Sequence, residues 1–374
     1  MLSNSHWNAR PNRLAGLSQA DWAWQTRRMR HLLLAAAAAS LVLPAYAEEP
    51  APIPSPGEIA AAAPATDWIA IAPSDLLVMD LAPDAKGKPR RVVIQLMPAP
   101  FSRGWIGNIR KLAAAHWWDG TSVNRVQDNY VVQWGDATEK KPLPQDLVTV
   151  PESEYVVSDP ASKETTSGGK PVIILSKDEA ARRAGRMDRD RGLDIYGSGF
   201  EPATDAYAPR VTFESGWPIG LDDRTVPDQR WPLHCYGMVG VGRNMSPDTG
   251  SGAELYVVIG QAPRHLDRNI ALVGRVVRGI EHLSSLPRGT GALGFYETEA
   301  ERVPIMSIRV ATELPVAERP RFEYLSTDSE SFRRYADARA NRRDPFFIRP
   351  AGGADICNIP IPIRPVEAKP VEAK

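Results

Sequence analysis

Apolar positions along this chain fall in short runs separated by polar loops. Residues 92–96, 130–133, 255–259, 272–277 and 305–310 are rich in Val, Ile, Leu and Tyr, which predicts strands. Two segments among them carry a helical period instead: 105–115, which contains Asn108 and Leu112, and 279–286. Short β-runs with so little helix predict a mainly β fold of the closed-barrel kind, although this pattern alone does not distinguish one barrel from another. Further along, Thr327-Asp328-Ser329-Glu330 has the spacing of a capping box, and Phe332, Tyr335 and Ala336 follow on one helical face. That predicts a helix ending before Pro345 and packed on the outside of the barrel. Ser176-Lys177-Asp178-Glu179 has the same spacing and opens a charge-dense stretch to Arg191, which predicts a short solvated helix.

The first residues read as an export signal. Arg27, Arg28, Arg30 and His31 precede an apolar run at 32–43 that ends in Ala45-Tyr46-Ala47, which predicts cleavage after Ala47 and a periplasmic or secreted protein. Met29, just before that run, is an alternative start. The run of twelve residues is well short of the ~20 a spanning helix needs, so no membrane span is expected in the mature chain. Residues 48–66 are rich in Ala and Pro and read as a flexible or extended tether. A domain at 67–315 follows, interrupted by a long insertion at 137–230, and then an extension at 316–374 with one helix and a disordered tail.

Charge and cysteine content narrow the partners. Lys plus Arg equals Asp plus Glu at 45 each, so no overall field favours nucleic acid. The sequence says nothing of oligomeric state. Cys235 and Cys357 either pair in an oxidising compartment, tying the C-terminal region to the barrel, or remain buried thiols; both readings stay open.

Several catalytic motifs are tested and set aside. Asp248-Thr249-Gly250-Ser251 spells an aspartic-protease loop, but the chain holds no second copy to share a proton, and the segment reads as a polar loop. His116, His234, His265 and His282 lack metal-ligand spacing, and no metal or cofactor is expected. His234 reads as bonded within the fold. Trp105, Trp117, Trp118 and Trp134 read as core and rim packing.

Three stretches carry more specific information. Residues 91–136 contain a strand, an amphipathic helix, the turn Trp117-Trp118-Asp119-Gly120-Thr121, then Asn124-Arg125-Val126 and Gln133-Trp134-Gly135-Asp136. Residues 234–256 contain Gly237-Met238-Val239-Gly240-Val241-Gly242-Arg243 and Gly252-Ala253-Glu254-Leu255-Tyr256. Residues 262–286 contain His265-Leu266-Asp267 and Gly274-Arg275-Val276-Val277-Arg278-Gly279. In this order they resemble the cyclophilins, the barrel-fold peptidyl-prolyl cis/trans isomerases.

The resemblance implies a closed eight-stranded antiparallel barrel with a helix at each end, acting on proline-containing polypeptides without metal or covalent intermediate. Arg125 matches the family arginine that stabilises the twisted X-Pro bond. Tyr130, Val131, Tyr256 and Leu266 match the proline pocket, Gln133 the backbone clamp, and Gly242 and Arg243 the main-chain binding segment. Three positions depart from the pattern: Asn124 replaces a histidine, Ile270 stands where many members have a histidine or another residue over the proline ring, and Glu254 replaces a glutamine that helps orient the arginine. A carboxylate at 254 is expected either to hold Arg125 or to draw it from the substrate. The implied function is folding assistance to exported proteins. The alternative is a barrel that binds a proline-containing partner segment with little turnover.

Overall fold

The computed structural model describes residues 53–158, 205–222, 224–225 and 227–366. The expected export signal, the charge-dense helix from Ser176 and residues 367–374 of the expected disordered tail lie outside these residues. The described residues form one compact unit.

Where an extended tether was expected, the chain forms a helix, α1 (Pro56–Ala61). Ser55 caps it: its Oγ accepts from the Glu58 N–H at 3.3 Å and its N–H donates to the Glu58 carboxylate at 2.7 Å. Pro56 sits at the first turn, where no donor is required. The Ala/Pro-rich composition hid this capping box, and Ile59, Ala60 and Ala63 bury against the main core.

Strand β1 (Trp68–Ala70) leads to the first barrel strands, β2 (Leu76–Leu81) and β3 (Arg90–Leu96), paired so that Leu77 faces Ile94 and Met79 faces Val92. Helix α2 (Arg103–Ala114) crosses to the hairpin of β4 (Ser122–Val126) and β5 (Val131–Gly135). The insertion contributes β6 (Val157–Ser158), β7 (Arg210–Glu214), β8 (Trp217–Asp222) and β9 (Gln229–Pro232), a separate antiparallel sheet in the order β6-β9-β8-β7. The chain returns with β10 (Met238–Val241), β11 (Leu255–Val258), β12 (Leu272–Arg278), the single helical turn α3 (Glu281–Ser284) and β13 (Val303–Val310). The barrel closes in the order β10-β11-β5-β4-β13-β2-β3-β12, every pair antiparallel.

Strand β2 shows why an apolar run could replace strict alternation. Leu77, Met79 and Leu81 point into the barrel core. Leu76 and Val78 point outward into a second cluster with Val93, Phe322 and Tyr324. That outer cluster lies under β14 (Phe322–Leu325), which joins β1 and β15 (Ile363–Pro365) in a three-stranded sheet. With both faces of β2 covered, polar residues on either side would be buried.

Helix α4 (Glu330–Ala340) buries Phe332, Tyr335 and Ala336. Its cap is Ser329, whose Oγ accepts from the Phe332 N–H at 3.0 Å, two residues past the expected start. Thr327 is occupied elsewhere, accepting from the Gly216 N–H at 3.2 Å while 2% exposed. The helix expected at 279–286 is shorter, because Gly279 is left-handed (φ +84°) and packed against Arg91 O, while Pro287 follows. No helix among the described residues is long and apolar enough to cross a membrane.

Two features tie the substructures together. Cys235 and Cys357 form a disulfide across 122 residues, resolving the two readings of the cysteines in favour of pairing. Arg275 on β12 is buried: Nε and Nη2 donate to Gln95 Oε1 at 2.9 and 2.7 Å, and Nη1 donates to Gly216 O at 2.6 Å. Its guanidinium lies over Trp217 of the insertion at 4.3 Å and near Tyr324 of β14 at 5.8 Å. Burial without a carboxylate partner pushes its pKa down to about 9.

Candidate functional site

Four adjacent barrel strands, β4, β5, β11 and β10, bring the scattered residues together. Register sets Arg125 opposite Gln133 and Gln133 opposite Tyr256, so positions more than a hundred residues apart in sequence become neighbours across two ladders. A cavity of about 720 Å³ opens there, and Arg125, Tyr130, Val131, Gln133, Gly242, Arg243, Glu254, Tyr256 and Leu266 all line it, as do Asn124 and Ile270.

Arg125 reaches the cavity because its strand is irregular. Residues 123 and 125 of a regular strand share a face. The β4–β5 register shifts between them, so Val123 packs in the core while Arg125 turns toward the cavity. Its Nε donates to Leu293 O at 2.8 Å, Nη1 to Gln133 Oε1 at 3.2 Å, and Nη2 to Gln127 Oε1. The guanidinium also lies 5.2 Å from the Phe295 ring and 5.7 Å from the Tyr130 ring. Partial burial lowers its pKa from the ordinary arginine value.

Neither outcome expected for Glu254 occurs. Gln133 stands between the two charges: its Oε1 accepts a hydrogen bond from Arg125 Nη1, and its side chain bonds the Glu254 carboxylate. Asn124 Nδ2 approaches Glu254 Oε2 at 3.4 Å. Burial raises the Glu254 pKa, and the hydrogen bonds from Asn124, Gln133 and the Asp136 backbone oppose that rise. The carboxylate packs directly on Gly135, where an added Cβ would lie 1.8 Å from Oε1.

The apolar end of the cavity is a small cluster of Val131, Tyr256 and Val258, with Tyr130 and Ile270 packed against it. Gly240 leaves room for Tyr256, since a Cβ there would meet the ring at 2.3 Å. Tyr256 is 5% exposed, and its hydroxyl points away from the cavity onto His234 Nε2 at 2.8 Å. The Gly242 N–H is used in the ladder, donating to Glu254 O at 2.8 Å, so the group it can offer a ligand is its carbonyl. Arg243 braces two loops, with Nε and Nη2 on Asn269 O at 3.0 and 2.9 Å and Nη1 on Asn244 O at 2.7 Å.

Asp248 closes its own loop by accepting the Asn244 and Gly250 N–H groups, each at 2.9 Å, which holds its carboxyl below the usual range. A protease aspartate would need a second carboxylate to share its proton. Sequence reading missed Leu293 and Phe295, which meet Arg125 from a loop between α3 and β13. The one available signal was two large apolar residues in the glycine-rich run Gly289-Thr290-Gly291-Ala292-Leu293-Gly294-Phe295. Gly294 (φ +80°) lets that loop lie against Gln127, where a Cβ would stand 2.7 Å from the backbone.

A family model described as cyclophilin type peptidyl-prolyl cis-trans isomerase/CLD matches residues 91–310. Among solved structures, the cyclophilin AquaCyp293 from Hirschia baltica is similar at 20% identity, with a TM-score of 0.54 over 80% of this chain and 95% of that one; this likeness shows the fold. A cyclophilin type peptidyl-prolyl cis-trans isomerase from Cryptosporidium parvum aligns at 11% identity over 63% of this chain and 96% of its own, with a TM-score of 0.32. No curated protein matches the chain.

Proposed function

The chain belongs to the cyclophilin-type peptidyl-prolyl cis/trans isomerases, and on that premise we propose that Arg125 is its electrostatic catalyst and that exported polypeptides are its substrates. An amide resists rotation by about 18–20 kcal/mol because resonance gives its C–N bond double-bond character. Twisting the bond localises the lone pair on the prolyl nitrogen, which then accepts a hydrogen bond. A planar guanidinium beside that nitrogen favours the twisted state over either planar isomer.

The observation that carries this reading is Arg125, held on three sides at the edge of an apolar pocket. A guanidinium has five N–H groups. Leu293 O, Gln133 and Gln127 take one each, so two remain for a substrate. Tyr256, Val131 and Leu266 would receive the proline ring, and the Gly242 carbonyl and Gln133 the flanking backbone. The basic and apolar pattern ending at Ala47, together with the Cys235–Cys357 pair, supports export and hence folding substrates in the same compartment.

The test is NMR exchange on a short X-Pro peptide with residues 48–374 and with Arg125→Ala. Two charge-assisted hydrogen bonds at about 1.5–3 kcal/mol each predict a loss of at least a hundredfold in kcat/KM. A folded variant within threefold of wild type would remove Arg125 from the mechanism. A second reading, a proline-binding module with little turnover, draws on the grip of Gln127 on Nη2. It requires peptide binding by the wild type without acceleration of exchange.

A further inference from the structure

Behind the pocket runs a buried polar chain that no catalytic step uses. The Tyr256 hydroxyl meets His234 Nε2 at 2.8 Å, and the two rings stack within 10° of parallel. His234, 0% exposed, places Nδ1 2.9 Å from Asp267 Oδ1, and its backbone N–H donates to the same oxygen at 3.0 Å. Asp267 Oδ2 accepts from Arg264 Nε at 2.6 Å, and Arg264 Nη1 and Nη2 grip the Asp205 carboxylate at 2.9 and 3.0 Å.

We propose that His234, held by Asp267 and Arg264, is a positioning residue for the proline pocket: it tethers the floor through the Tyr256 hydroxyl, while the same ion pairs pin the turn that carries Leu266. This rests on the reading of Tyr256 and Leu266 as pocket residues.

The direction of each bond follows from its partners. The Asp267 carboxylate takes the Nδ1–H, which leaves Nε2 to accept the tyrosine proton. Burial raises the Tyr256 pKa well above the ordinary value and lowers that of His234, so the chain is built from a phenol and a neutral imidazole. Without its acceptor, the Tyr256 hydroxyl would be buried and unpaired, and the ring would gain by turning toward water in the cavity. Leu266 belongs to a turn bounded by Arg264 and Asp267, whose side chains bond each other, so the pocket wall moves only if that pair breaks.

Three variants of residues 48–374 test the tether. His234→Leu should raise KM for an X-Pro peptide about tenfold with kcat within about twofold, because Arg125 lies outside the chain. His234→Gln, which restores an acceptor near the Nε2 position, should recover most of that loss. In the double variant His234→Leu/Tyr256→Phe no hydroxyl needs a partner, so KM should fall at least threefold below that of His234→Leu. An unchanged KM in folded His234→Leu, or a double variant no better than the single, would overturn the proposal. Should His234→Leu not fold, ¹⁵N spectra of the wild-type histidine decide: a neutral Nδ1–H tautomer with hydrogen-bonded Nε2 supports the tether, and the opposite tautomer refutes it. These spectra need no substrate, so an inactive wild type with the predicted tautomer would refute the isomerase reading and leave the tether standing.

Discussion

Removing the Cys235–Cys357 bond should cost this protein a large share of its stability and little of its chemistry. The bridge closes 122 residues, which hold four of the eight barrel strands, β10 to β13, and much of the C-terminal extension. The chain-entropy relation, with loss growing as 1.5R ln n plus a constant, gives about 5 kcal/mol for a loop of that length. Residual order in the unfolded chain reduces this, so we expect about 2–5 kcal/mol. Cys357→Ala is the preferred perturbation because Cys357 does not line the cavity, whereas Cys235 adjoins His234. Local structure around residue 357 should persist, since Asp355 caps the turn and Ile356 is 2% exposed. Urea unfolding followed by tryptophan fluorescence, on oxidised protein, reduced protein and the variant, gives the free energies. Isomerase assays at low temperature should show the variant within about twofold of wild type. A loss below about 1 kcal/mol, with both thiols titrated in the reduced sample, would refute the loop-closure argument and mean that packing alone holds the extension in place.

Three further outcomes follow from particular contacts. Phe332→Ala removes a fully buried ring packed edge-on to Phe213 at 5.1 Å, and should cost about 3–5 kcal/mol in a single unfolding transition; a biphasic transition with barrel stability unchanged would show that the extension folds separately. Gly135→Ala would drive a Cβ into the Glu254 carboxylate, disturb Gln133 and lower kcat/KM by about tenfold or more; Glu254→Ala in the same background should restore part of the loss. Burial lowers the folded-state pKa of His234 below its unfolded value of about 6.5, so the folded protein binds fewer protons and its stability should decline as pH falls from 6.5 to 5, by no more than about 1.4 kcal/mol per pH unit. His234→Gln should lack this slope. Glu254, with a raised folded pKa, works in the opposite sense, so the comparison is made in a Glu254→Gln background.

Much of the barrel was legible because strands and ladders leave local traces. Val92, Ile94 and Leu96 announce a strand whatever their partner, and the spacing of Phe332, Tyr335 and Ala336 announces a buried helical face. Composition misled at residues 53–66, where a capping box outweighed proline content. Capping-box spacing misplaced the start of α4, because Thr327 has a distant partner in Gly216. Arg125, Gln133, Tyr256 and Leu266 are picked out by their match to the family motifs, and the tertiary structure brings them to one cavity.

By itself the sequence determined the alternation of short apolar runs, the neutral charge balance, and the ordered motifs that identify the family. These depend on local propensity and on side-chain type, both properties of neighbours in the chain. Only the tertiary structure decided that Cys235 meets Cys357, that Gln133 separates Glu254 from Arg125, that Leu293 and Phe295 face the guanidinium, and that His234 stands behind Tyr256. Each of these depends on register and closure of the barrel, which are set by burial summed over the whole core. No segment carries that sum on its own.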